Sequence, residues 1–265
     1  PAEVDWRPDR VVLGQSWLSV ERSDGRVRVT GALAGALPGC RWAAAVDVQG
    51  PARVSDPGEP DVADHEWSVV TAVAHGEVTV RANGAEHTVS GRAYVDRNGS
   101  DRPLHALGVA RWHWGRLAFA DREVVWYAAT DDRGAVSSRV MTIDADGRSV
   151  AVEDAVRDAG RGFGCWGLGW PAVVSLPGGI DVPLGRPIDD SPFYARFRVD
   201  VAGARGEPVA RGFAEVCRVD RIDRGWFRPL LRMTVCPATG PGSIWLPLFA
   251  GPRDGRWARL VGGDR

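Results

Sequence analysis

Residues 77–97 read EVTVRANGAEHTVSGRAYVDR, and residues 109–130 read VARWHWGRLAFADREVVWYAAT. In both stretches apolar and polar residues largely alternate, which is the period of a β-strand with one buried face. Asn83-Gly84 interrupts the first stretch and Ala120-Asp121-Arg122 interrupts the second, and such breaks are typical of turns between antiparallel strands. The two stretches therefore predict two β-hairpins.

The same alternation extends outward along the chain, and polar turn residues such as Asp131-Asp132-Arg133-Gly134 separate its segments. Short strands separated by turns about every ten residues favour an all-β fold, either a barrel or a sandwich. Further strands are predicted at 27–30, 137–143, 149–152, 194–201, 207–219 and 227–235. One short helix is predicted over 152–158, and loops are predicted at 50–64 and 177–192, the second long enough to be a lid or pocket rim. A polar turn at Asp101-Arg102-Pro103 predicts two domains, 1–105 and 106–265.

The composition limits the classes of function. The chain has 265 residues, 44% of them hydrophobic and 25% charged, with a net charge of −1, which is typical of a soluble globular protein and gives no reason to expect nucleic acid as a partner. The absence of lysine excludes a lysine base or Schiff base. The four cysteines lack the spacing of a metal site. Without an apolar run of about 20 residues or a signal peptide, we expect no membrane insertion and a cytoplasmic protein.

Chemistry-bearing side chains recur at every second position in two of the predicted strands. Tyr94 and Asp96 share one strand face, and Trp112, Trp114 and Arg116 share another. A carboxylic acid among aromatic rings can keep its proton near neutral pH, so Asp96 is a candidate general acid. The alternative is a structural ion pair between Asp96 and Arg92, Arg97 or Arg116.

These residues also carry a family resemblance. The matching positions are Gly91, Tyr94, Asp96, Asn98, Trp112, Trp114 and Arg116, followed by Gly212-Phe213-Ala214-Glu215. In this pattern the chain resembles the carotenoid 1,2-hydratase (hydroxyneurosporene synthase) family and its relatives, which include lipocalin-like Diels–Alderases. The resemblance covers 67–152 and 212–233. It implies two lipocalin-like (calycin-type) antiparallel β-barrel domains with little helix, an apolar pocket, and no metal or organic cofactor.

The chain departs from the family pattern at two positions. Val95 and Arg97 stand where the family often has histidines that would position water, and this departure favours shaping a substrate over adding water. We therefore predict a cofactor-independent cyclase or isomerase of natural-product biosynthesis, which folds a small apolar polyene, polyketide or terpenoid for an intramolecular reaction such as a [4+2] addition. The alternatives are a carotenoid or terpenoid C=C hydratase with an Asp general acid, and a non-enzymatic carrier of an apolar ligand.

Each candidate residue has a predicted role. Catalytic roles are expected for Asp96, Tyr94 and Arg116, and substrate-binding roles for Asn98, Trp112, Trp114, Tyr127 and Glu215. Tyr127 and Trp126 should lie on opposite faces of their strand, so at most one faces a pocket. Glu215 is expected to pair with Arg221 or Arg232, and His113 is expected to be exposed because it alternates away from the two tryptophans.

Overall fold

The structure is a computed structural model that describes residues 4–7, 9–37, 40–53, 66–99, 107–164, 166–202 and 208–222. Within these residues it contains β-strands and one short helix, α1 (Val219–Ile222), which confirms the predicted all-β class. The strands form antiparallel sheets, as expected for a lipocalin-like protein. The alternation of apolar and polar side chains explains why these segments fold as strands.

The first sheet has seven strands, and strands that are consecutive in the chain are neighbours in the sheet. They are β1 (Val4–Arg7), β2 (Arg10–Leu13), β3 (Ser16–Ser23), β4 (Arg26–Leu37), β5 (Cys40–Pro51), β6 (Glu66–Ala82) and β7 (Ala85–Gly99). The predicted turn at Asn83-Gly84 joins β6 to β7, and both residues have the positive φ angles that a tight hairpin turn requires.

The buried side of β6 changes along the strand. The buried positions shift from odd numbers, at Trp67 and Val69, to even numbers, at Ala72 and Ala74. Val73 lies at this shift with a φ of 53°, a left-handed conformation that is strained for a β-branched residue. The alternation of buried and exposed side chains therefore reverses near this position of β6.

The described residues form two compact units, and the division passes through β6 and β7. One unit contains the described residues of Pro1–Gly50 and Ala74–Ala93, and the other contains those of Pro51–Val73 and Tyr94–Arg224. The predicted boundary between 105 and 106 lies outside the described residues and stays a prediction.

The second unit is built on another seven-stranded sheet. In spatial order its strands are β11 (Ser149–Glu153), β10 (Val136–Asp144), β9 (Arg122–Asp131), β8 (Val109–Ala118), β19 (Pro208–Cys217), β18 (Tyr194–Ala202) and β17 (Asp189–Asp190). A three-stranded sheet consists of β12 (Arg157–Ala159), β15 (Val173–Leu176) and β16 (Ile180–Pro183), and a two-stranded one of β13 (Gly162–Phe163) and β14 (Gly169–Trp170).

Both faces of this seven-stranded sheet are covered, so β9 is buried along most of its length. Trp126 packs in one apolar cluster with Val174 and Val182 of the three-stranded sheet. Tyr127 packs in the other cluster, which includes Trp67 from β6. The prediction that Trp126 and Tyr127 lie on opposite faces is confirmed.

Several local predictions need correction or fall outside the described residues. The helix predicted over 152–158 is wrong, because a turn at Asp154, with a φ of 49°, joins strands β11 and β12 there. The segment 177–192 is not a simple loop, since it contains β16 and β17. The strand predicted at 227–235 and most of the loop predicted at 50–64 lie outside the described residues.

Candidate active site

The Asp96 carboxyl is held by two aromatic side chains of the second unit. Trp67 donates its indole N–H to Asp96 Oδ2 over 3.0 Å, and the Tyr94 hydroxyl donates to the same oxygen over 3.3 Å. No other side chain of the described residues donates to this carboxyl. Because both donors use Oδ2, the proton of a neutral Asp96 belongs on Oδ1.

Burial makes Asp96 a weaker acid than a solvent-exposed aspartate. Desolvation raises the pKa of the Asp96 carboxyl, the two hydrogen bonds partly offset the rise, and the negative charge of Glu215 adds to it. Burial also raises the pKa of Tyr94 well above its ordinary value. Tyr94 therefore stays a neutral hydroxyl donor while Asp96 retains its proton to a higher pH.

Further aromatic rings on neighbouring strands pack against the two side chains that hold this acid. The Tyr127 ring stacks between Trp67, at a centroid distance of 5.7 Å, and Trp112, at 6.0 Å. Tyr94 contacts the Trp114 ring at a centroid distance of 5.8 Å. We call these five residues (Trp67, Tyr94, Trp112, Trp114 and Tyr127) the aromatic cage. It brings four predicted site residues, Tyr94, Trp112, Trp114 and Tyr127, to the acid.

Arg116 lies beside the cage but does not neutralise Asp96. Its guanidinium lies 5.1 Å from the Tyr94 ring centroid, and its Nη2 is 3.7 Å from Glu123 Oε1. Glu123 is fully buried, so its charge needs this partner. Among the described residues Asp96 forms no ion pair with Arg92, Arg97 or Arg116, and the ion-pair alternative for Asp96 is not supported.

Glu215 on β19 lies directly opposite two residues of the neighbouring strands, Trp114 on β8 and Arg196 on β18. Arg196 donates its Nε–H to Glu215 Oε1 over 2.9 Å and also to the Tyr194 hydroxyl over 2.9 Å. The expected partner Arg221 instead donates to backbone carbonyls, including that of Pro192, and Arg232 lies outside the described residues. The expected pairing of Glu215 with Arg221 was therefore wrong.

Other residues of the motif lie apart from the acid. Asn98 is exposed near the end of β7 and is not brought into the cage. Alternation along β7 directs Val95 and Arg97 away from the face that carries Tyr94 and Asp96. Histidines at those two positions would thus point away from the Asp96 carboxyl, so their absence does not argue against water addition.

His113 is not exposed as expected. It accepts a hydrogen bond from the Trp126 indole N–H at Nδ1, over 3.2 Å, and its Nε2 lies 3.2 Å from Asp158 Oδ1. Burial acts to raise the pKa of Asp158, but the hydrogen bond and charge of His113 outweigh it and lower that pKa. His113 is thus a structural residue on the opposite face from the cage.

Three residues near the acid were not predicted from the sequence: Trp67, Glu123 and Arg196. The hairpin turn at Asn83-Gly84 places Trp67 on the strand next to Asp96, but it does not show that the indole N–H reaches the carboxyl. In the parts of the chain that the structure describes, no group of three or more His, Cys, Asp or Glu side chains is arranged to hold a metal ion. No helix among the described residues is long and apolar enough to cross a membrane.

Similar proteins are known. A putative AttH from Nitrosomonas europaea is 16% identical, with a TM-score of 0.57 over 80% of this chain and 70% of its own, and this likeness concerns the fold alone. Kievitone hydratase from Nectria haematococca is 12% identical, with a TM-score of 0.38 over 77% of this chain and 87% of its own. No curated protein sequence matches significantly. The model of the carotenoid hydratase CrtC family matches residues 18–240, which is most of the chain, and the chain therefore belongs to that family.

Proposed function

We propose that this protein is a cofactor-independent hydratase that adds water to an isolated C=C bond of an apolar, unsaturated substrate. The main support is the Asp96 carboxyl, whose pKa is raised by burial within the aromatic cage. Family membership supports the reaction class, since the family is one of hydratases. Water addition is thus better supported than the cyclisation expected from the sequence.

In the proposed reaction Asp96 acts first as an acid and then as a base. The proton on Oδ1 moves to one alkene carbon, the π electrons form the new C–H bond, and the other carbon becomes a carbocation. A water oxygen then bonds to that carbon, and the proton which this water loses returns to the Asp96 carboxylate. The net change is alkene plus water to alcohol, and the enzyme is regenerated.

The neighbouring residues have separate roles in this proposal. Tyr94 and Trp67 hold Oδ2 and so orient Oδ1, which makes them positioning residues. The faces of Trp112 and Trp114 stabilise the cation, since indole rings attract positive charge most strongly among aromatic side chains. The rings of the cage also reduce the contact of the Asp96 carboxyl with water, which would otherwise bring its pKa back toward the ordinary value.

Incubation with acyclic terpenoids that have an isolated trisubstituted terminal double bond tests the proposal. In D₂O we expect a product heavier by one D₂O, with one deuterium bonded to carbon. A product of unchanged mass but new connectivity would overturn hydration in favour of cyclisation, and an unchanged ligand bound to the protein would favour a carrier.

A matched pair of variants separates the site from general damage. Asp96→Asn should slow water addition by at least about a hundredfold. Asp158→Asn, which replaces a partly exposed aspartate on the opposite face of the sheet, should retain it. Equal activity of wild type and Asp96→Asn would contradict the assignment of the acid.

A further inference from the structure

Strand β8 presents three enclosed N–H donors on one face. They are Trp112 Nε1, Trp114 Nε1 and Arg116 Nε, and none of them has an acceptor among the described residues. Alternate residues of a strand share a face and lie about 6.6 Å apart, so the three donors form a row. This face of β8 is the one that contributes to the aromatic cage.

Such a row is unusual, because folded proteins leave few enclosed polar groups without a partner. An enclosed donor without an acceptor lowers the folding equilibrium constant by about tenfold or more. In the other apolar cluster of the second unit, the corresponding unpartnered donor among the described residues is the Trp170 indole N–H. The concentration of such donors on β8 therefore indicates that this face meets an acceptor that the described residues do not supply.

None of the nearby carboxylates of the described residues accepts a hydrogen bond from these three donors. Asp96 Oδ2 receives Trp67 and Tyr94, and Glu215 receives Arg196. Glu123 lies near Arg116 Nη2, at the end of the guanidinium away from the side-chain stem, while Nε stays unpartnered.

We infer that the substrate is oxygenated, and that a carbonyl or hydroxyl oxygen on its apolar skeleton accepts hydrogen bonds from Trp114 Nε1 and Arg116 Nε. This inference rests on the proposed function, since it concerns the substrate of the same site. Both side chains contact the Tyr94 ring, and Tyr94 in turn donates to Asp96. The oxygen would thus anchor the skeleton next to the acid. A pure hydrocarbon would leave the donors unsatisfied.

Binding of a matched ligand series tests the inference without requiring turnover. The probes are the acyclic C20 aldehyde geranylgeranial, the corresponding alcohol, and the C20 hydrocarbon that lacks the oxygen, with binding followed by quenching of tryptophan fluorescence. We expect wild type to bind the aldehyde or the alcohol at least tenfold more tightly than the hydrocarbon. A tenfold gain in affinity is about what one hydrogen bond to a charged or enclosed donor contributes. Equal or tighter binding of the hydrocarbon by wild type would overturn the inference, whatever the variants do.

Two variants identify the donors. Trp114→Phe removes the N–H and keeps an aromatic ring, and Arg116→Lys keeps a positive charge for Glu123 while removing Nε–H. Each should reduce the oxygenated-to-hydrocarbon affinity ratio by about threefold to tenfold. Trp170→Phe, which removes the unpartnered N–H of the other cluster, should leave the ratio unchanged. An unchanged ratio in both test variants would refute the assignment.

The binding experiment and the water-addition experiment can fail independently of each other. A preference for the oxygenated ligand without water addition would overturn hydration and leave the inference standing. Water addition to the hydrocarbon, with no binding preference for the oxygenated ligands, would support hydration and overturn the inference.

Discussion

Replacing Asp96 by asparagine should lower activity while improving stability at neutral pH. Asparagine has nearly the same shape, and its carbonyl oxygen can accept the hydrogen bonds of Trp67 and Tyr94 that Asp96 Oδ2 accepts. It has no acidic proton, however. Positioned proton transfer contributes roughly 10²–10⁴ in rate, which corresponds to about 2.7–5.5 kcal/mol of transition-state stabilisation. We therefore expect turnover to fall by at least about a hundredfold.

The same substitution should increase the stability of the fold, although it lowers activity. Since the folded-state pKa of Asp96 is raised above 3.8, the folded protein holds this proton more tightly than the unfolded chain. Stability is therefore lost as the pH rises from that value through the raised pKa, and the loss persists at neutral pH. Asp96→Asn lacks this titration, so its stability relative to wild type should increase between pH 4 and pH 7.

Product mass and urea unfolding at several pH values measure the two effects on the same protein samples. A variant that is both inactive and less stable than wild type at neutral pH would indicate damage to the fold rather than loss of the acid. Turnover within about threefold of wild type would refute the role of Asp96 outright.

Two further predictions concern neighbouring positions. Trp67→Phe removes a hydrogen bond that lowers the pKa of Asp96, so that pKa should rise further and the alkaline limb of the pH–rate profile should move to higher pH, whereas an unmoved limb would contradict the assignment. In Gly115→Ala a new Cβ would lie 2.1 Å from the buried Trp126 ring, so we expect a loss of about 1–3 kcal/mol in urea unfolding. Gly91→Ala meets no atom within 4 Å and is the matched control; an equal loss in both variants would refute the packing explanation.

Alternation in the sequence was sufficient to predict most strands of the second unit and the common face of Trp112 and Trp114. It also predicted that Trp126 and Tyr127 face opposite ways. It did not predict that His113 is largely covered, because the period of a strand assigns a residue to a face without showing whether another sheet covers that face. The three-stranded sheet that belongs to the cluster around Trp126 is formed by short strands, one of which overlaps the predicted helix and another of which lies within the predicted loop 177–192.

The partner of Glu215 was missed for a related reason. Pairing of β18 with β19 puts Arg196 directly opposite Glu215, but the register also includes an irregularity between Val201 and Ala202. A shift of one residue in that register would direct Arg196 to the other face of the sheet. The sequence predicted Arg221 or Arg232 as the partner, and only the register of the folded sheet identifies Arg196.

The balance of opposing effects at Asp96 suggests why the acid is surrounded by aromatic rings. Hydrogen bonds from Trp67 and Tyr94 favour the ionised carboxylate, and burial favours the neutral acid; the pKa is raised, so burial outweighs both bonds. A more polar enclosure would add donors, lower the pKa and remove the proton that the reaction needs. A wholly apolar enclosure would leave the carboxyl without the bonds that orient it. Indole and phenol side chains meet both requirements, since each buries a large apolar area and carries one donor.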